Sequence, residues 1–235
     1  VPKALLRDRL ALRAAEACAG FSGRPERAPE LRDAIHLLRP GDLPGPAGET
    51  YLAWRRAVER PVSIKALGRA LPILELGQIA TWLDTGKGAP VTRAAMALDA
   101  VLTEAPRAEV PALILADAAL AQALGWDHVV PLLAAGLKRT DLRKRGDDLR
   151  LACHRALISS TREAVRLAAD LARRTAHLRY TPCANACGWT ARPSCINAAM
   201  ASRQLRWPAS RFAAATPTWC WSSAPIGKPH PRSHC

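Results

Sequence analysis

Cys153 and His154 stand side by side, and a thiol next to an imidazole is the pair from which a nucleophile and its base are made. The surrounding stretch, LRLACHRALISSTREAVRLAADLARRTAH, has helical spacing, so consecutive side chains point about 100° apart and cannot readily hydrogen-bond each other. Cys153 falls instead on an apolar stripe of Leu149, Cys153, Ala156, Ser160, Ala164, Leu167, Leu171 and Leu178, and reads as a small buried filler. A second set, Asp117, Asp127, His128 and Asp141, has the residue types of a metal site or an acid–base pair, since bundle interiors build such sites from facing helices. No Glu-x-x-His or His-Glu-x-x-His pair accompanies it, and Asp127 is placed to cap a helix. A structural role is therefore the expectation, and no metal or cofactor is assigned. Asp84-Thr85-Gly86-Lys87-Gly88 lacks the preceding glycine of a phosphate loop and the hydroxyl after its lysine, so it reads as a turn.

Lys138, Arg139, Arg143, Lys144 and Arg145 form the densest basic cluster before residue 180. Such side chains release counterions when they meet phosphates, which gives salt-sensitive binding and makes them candidates for a nucleic-acid contact. Asp141, Asp147 and Asp148 lie among them, and a solvated loop with local ion pairs accounts for the same composition. The formal charge of +14 is misleading, because no Asp or Glu follows Asp170 while nine Lys or Arg do. The body is only mildly basic.

The elements that must position these residues are helices. With aromatics at 5% and Ala, Leu and Arg abundant, the composition favours side chains that lose little freedom in a helix. Apolar spacing predicts helices over Pro2 to Ala19, Pro29 to Leu38, Thr50 to Glu59, Ser63 (as N-cap) to Leu71, Ile73 to Leu83, Val91 to Leu102 and Ala112 to Leu124. Arg39 to Glu49 is a loop by its proline and glycine content, and Asp84 to Pro90 is a turn. Gly125 ends the Ala112 helix, Asp127 caps a following helix with Pro131 in its first turn, and Asp147 or Asp148 caps the long helix that reaches about His177. Tyr51, Trp54, Trp82 and Trp126 read as core aromatics rather than a stacking platform. Connections this short make successive helices antiparallel neighbours, and no repeat of fixed period points to a solenoid. The expected fold is all-α, an irregular bundle of antiparallel helical hairpins over 1–179, followed by a disordered or non-native C-terminal tail over 180–235.

That tail has a different texture. It holds five of seven cysteines, four of seven tryptophans and seven of nineteen prolines. Cys183, Cys187 and Cys195 invite a zinc reading, but no second closely spaced pair completes it, and nothing else speaks for the oxidising compartment a disulfide framework needs. Cys and Trp codons both begin with TG, so reading one base earlier converts each into a codon for Leu, Val or Met, and Trp219-Cys220-Trp221 becomes Leu-Val-Leu. The expectation is a frameshifted translation without a selected fold.

Three segments carry a resemblance: LLRDRLALRAAEAC, LRDAIHLLRPGDLPGPAG and LILADAALAQALGWDHVVPLLAAGLKRTDLRKRGDDLRLACHRAL. Over about Val1 to Leu178 the chain resembles the bacterial domain of unknown function 1403, a family of high-GC, plasmid-bearing soil bacteria. The resemblance implies a helical protein of undetermined activity, carries over no functional residue, and implies a C-terminal element similar to a small winged helix, from which the present tail departs. The resulting expectation is a non-enzymatic helical scaffold or interaction protein with a protein partner or DNA, tied through the family to plasmid or mobile-element DNA. The alternative is a small-molecule enzyme using Asp117, Asp127, His128 and Asp141. No stretch is apolar for the roughly 18 residues that a membrane span needs, and VPKALLRDRL is not a signal peptide, so the expected location is cytoplasmic without a membrane partner.

Overall fold

The structure is a computed structural model that describes residues 3–24 and 26–180. Expectations for the tail fall outside these residues, apart from Tyr180, where the last helix ends. Among the described residues there are nine α-helices and one short 3-10 helix, with no strand. The helices are α1 (Lys3–Phe21), α2 (Ala28–His36), α3 (Pro46–Glu59), α4 (Ile64–Ala70), α5 (Leu76–Asp84), α6 (Pro90–Glu104), α7 (Glu109–Ala123), α8 (Leu133–Gly136) and α9 (Gly146–Tyr180). The 3-10 helix, Asp141–Arg143, lies between α8 and α9. No helix among them is long and apolar enough to cross a membrane.

Local signals set several of the boundaries. The Ser63 side chain accepts a hydrogen bond from the Ala66 amide at 3.2 Å and starts α4, as its residue type predicts. The α3 helix begins earlier than expected, inside the predicted loop, because Pro46 sits at the first helical position, where its missing N–H costs little. At the end of α7, Gly125 takes φ +67 and the Trp126 amide reaches back to the Ala121 carbonyl at 2.8 Å, closing the helix with a left-handed cap.

The core is built around α7. Every residue from Ala112 to Ala121 is buried, Asp117 included, so this helix has no solvent face. It forms a hairpin with α6 across residues 105–108, and α3, α5 and α8 also pack on it. A second layer joins α1 to α2 and α3, where the Trp54 indole N–H donates to the Cys18 sulfur at 3.4 Å. Tyr51, Trp54 and Trp82 are buried core aromatics, whereas Trp126 is 39% exposed. Trp126 departs from expectation because the turn after Gly125 lifts it off the apolar face.

The α9 helix lies across α8. A Cβ on Gly136 would sit 2.5 Å from the Ala156 carbonyl oxygen, so only glycine permits the approach. On α9, Leu149, Cys153, Ala156, Ser160 and Leu171 are buried and Ala164 and Leu167 half-buried, which reproduces the sequence stripe up to that point. The side chain of Leu178 lies outside the described residues.

Candidate functional site

Asp117 is the one buried carboxylate among the described residues, and its surroundings explain how α7 can hold a charge-bearing group in the middle of an apolar helix. The chain after α7 runs through an irregular segment before the single turn of α8, whose N-terminal amides have no partner within that turn. Asp117 supplies it. Oδ1 accepts from the amides of Leu132 and Leu133 at 3.2 and 2.9 Å, and Oδ2 accepts from Ala134 at 3.2 Å. Full burial pushes the carboxyl up to about 7, while the three amide donors pull in the opposite direction. The cap expected of Asp127 is thus made by Asp117 from another helix.

Asp99 on α6 does a similar job for α9. Its Oδ2 accepts from the Gly146 amide at 3.4 Å, and its Oδ1 lies 3.3 Å from Arg145 Nε. Asp147 and Asp148 sit in the first turn of α9, where carboxylates favour the positive end of the helix dipole. Asp99 gave no sequence signal, since its partner lies 47 residues away.

The remaining polar residues do not join Asp117. Asp127 is exposed, and its backbone carbonyl accepts from Val62 at 2.8 Å, beside an isolated bridge between Pro61 and His128. Asp127 and His128 share a cavity of about 390 Å³ with Lys3, Arg7 and Trp126. His128 is held below the usual imidazole range, by burial first, then by the positive charges of Arg7 and Lys3, with Asp127 opposing. Asp141 instead organises the 3-10 segment: Oδ2 accepts from the Lys138 amide at 3.0 Å and Oδ1 from the Lys144 ammonium at 2.6 Å. Burial works against ionisation of Asp141, but these bonds and the charges of Lys144 and Lys138 outweigh it and hold the carboxyl below its usual range. Among the described residues, no group of three or more His, Cys, Asp or Glu is gathered to hold a metal ion.

The basic cluster is divided. Lys144 is bound to Asp141, and Arg145 pairs with Asp99 and donates to the Leu142 and Lys144 carbonyls at 3.0 and 2.8 Å. Lys138, Arg139 and Arg143 are exposed, with no ion pair among the described residues. Cys153 is buried, with His154 exposed beside it. Burial pushes the thiols of Cys153 and Cys18 up to about 12, where a thiol is a poor nucleophile. Ser160, the polar residue on the stripe, donates to the Ala156 carbonyl at 2.8 Å. It borders a cavity of about 390 Å³ between α1, α8 and α9, rimmed by the ion pairs Arg13–Glu163 and Arg27–Glu16.

These features define a class: an all-helical protein whose buried polar groups tie one helix to the start of another. The family described as Protein of unknown function (DUF1403) matches residues 1–188, and the chain belongs to it. No curated protein and no solved structure matches the chain.

Proposed function

We propose that the chain is a non-enzymatic helical interaction protein that works through its surface. One observation carries this reading: its buried carboxylate and thiols, and Asp141 at the surface, are committed to internal structure. Asp117 is filled by three amides, Asp141 by Lys138 and Lys144, and the buried thiols are held protonated. The enzyme alternative needs Asp117, Asp127, His128 and Asp141 on one reacting centre, and the bonds of Asp117 and Asp141 leave neither free for one.

The finer reading is an association with plasmid or mobile-element DNA through the basic segment, in the cytoplasm. Its support is the exposure of Lys138, Arg139 and Arg143, three cations within six residues on a segment that Asp141 ties through the Lys138 amide and the Lys144 ammonium. Fluorescence anisotropy with a labelled DNA duplex tests it. Binding should weaken steeply with added salt, and replacing Lys138, Arg139 and Arg143 by Gln should lower affinity about tenfold or more. Duplex binding that the triple variant keeps in full, or none at low salt, overturns the DNA reading.

On the same reading the helical domain is 1–179, and residues 180–235 are an out-of-frame translation without a selected role. The family match ending at residue 188 supports this, together with the absence of any acidic residue after Asp170. Nucleotide sequencing across codons 175–185 checks it; a shifted frame that meets early stop codons overturns it.

A further inference from the structure

The outward face of α9 carries three exposed branched aliphatic residues at intervals of seven: Leu151, Ile158 and Val165, at 48, 56 and 63% exposure. An interval of seven is close to two helical turns, so the three lie along one seam about 21 Å long. Arg155 and Arg162 follow Leu151 and Ile158 by four positions, and Arg166 follows Arg162 by four, which places the arginines along one edge of that seam.

The arginines elsewhere on this helix are handled differently. Arg150 pairs with Asp147 at 3.1 Å, and Arg173 and Arg174 pair with Asp170 at 3.5 and 2.8 Å. Arg155, Arg162 and Arg166 are exposed, with no ion pair among the described residues, over the same turns that expose the aliphatic seam. We propose that this face docks an amphipathic helix of a partner protein, with apolar residues along the seam and a row of Asp or Glu beside the arginines.

Charge selects among the possible occupants. The planar guanidinium fork suits a carboxylate in two parallel hydrogen bonds, and the seam supplies the apolar contact that a helix lying in a groove requires. Nucleic acid would satisfy the arginines but leave the three aliphatic side chains against phosphate and water. The chain's own residues 181–235 contain no Asp or Glu and cannot supply the acidic row. A second copy cannot supply it from α9 either, because Asp147, Glu163 and Asp170 are already paired within the chain and Asp148 alone is one carboxylate, not a row.

The inference rests on the interaction-protein reading and is tested apart from its DNA branch. The probe is a synthetic helical peptide of about 20 residues with Leu along the seam and Glu on one flank, titrated by anisotropy into the full chain, with a Lys-flanked peptide as its counterpart. The Glu peptide should bind, and Ile158→Asp should weaken it by at least about tenfold. The triple variant Arg155→Glu, Arg162→Glu, Arg166→Glu should lose the Glu peptide and take up the Lys peptide. Circular dichroism melting of both variants should match the parent, because all four positions are exposed.

The proposal falls if neither peptide binds, or if Ile158→Asp leaves Glu-peptide binding unchanged, which would mean charge alone. It also falls if sedimentation shows a dimer that Ile158→Asp dissolves, or if a DNA duplex binds through these arginines while Ile158→Asp has no effect. Failure of the peptide arms with retention of duplex binding through Lys138, Arg139 and Arg143 removes this inference and leaves the function proposed above standing.

Discussion

Two helices of this protein solve opposite problems. The α7 helix is buried on every side from Ala112 to Ala121, and α9 buries one stripe and exposes the other side over residues 146–176. A helix without a solvent face cannot shed a polar side chain into water, so its Asp117 must find every partner inside the fold. A one-sided helix can place charge freely on its outer face. The difference teaches where function can reside: α7 spends its chemistry on architecture, and α9 keeps chemistry available at the surface.

The sharpest way to break this comparison is Asp117→Ala. It leaves the amides of Leu133 and Ala134 without an acceptor and that of Leu132 with only the Val130 carbonyl, and we expect a loss of about 3–5 kcal/mol in urea denaturation. Asp117→Asn keeps an acceptor for two amides but turns an NH₂ toward the third, and should cost about 1–3 kcal/mol. On the inner face of α9, Leu149→Ala removes a fully buried side chain and should cost about 2–4 kcal/mol in the same measurement. Gly136→Ala pushes a methyl against the Ala156 backbone, and the forced separation of α8 from α9 should cost about 1–3 kcal/mol.

The pH dependence sharpens the contrast further. With the Asp117 carboxyl raised to about 7 from 3.8, the folded chain holds a proton that the unfolded chain has released between those values. This contribution is complete below about pH 3.8 and is lost as pH rises through about 7. Denaturation at a series of pH values should show the parent losing stability over that window relative to Asp117→Asn. Asp141, held below the usual range, has the opposite sign and acts at lower pH; it is present in both proteins and cancels in the difference. The smallest effect belongs to the outer face of α9, where Ile158→Asp should change stability by no more than about 0.5 kcal/mol. A cost as large as that of Leu149→Ala would mean the two faces are not distinct.

The α9 stripe was legible in the sequence because a one-sided helix writes a period of three and four residues into the chain. The Ser63 cap was legible because donor and acceptor lie three residues apart. Trp126 was misjudged because exposure depended on a turn and not on the pattern of its helix. The role of Asp117 was not legible: α7 is apolar all round and carries no periodicity, and the amides Asp117 serves lie 15 to 17 residues further on. Asp127, close to α8 in the sequence and of the right type, looked like the cap that Asp117 provides.

By itself, then, the sequence determined the all-helical fold, most of the helix boundaries, the family, and the inert place of Cys153, since each follows from neighbours within about two turns. Only the tertiary structure decided which carboxylate starts which helix, which cations of the basic cluster are spent on ion pairs, and which face of α9 is left open. Those depend on groups far apart in the chain, and hydrogen bonds between distant segments leave no period in a sequence.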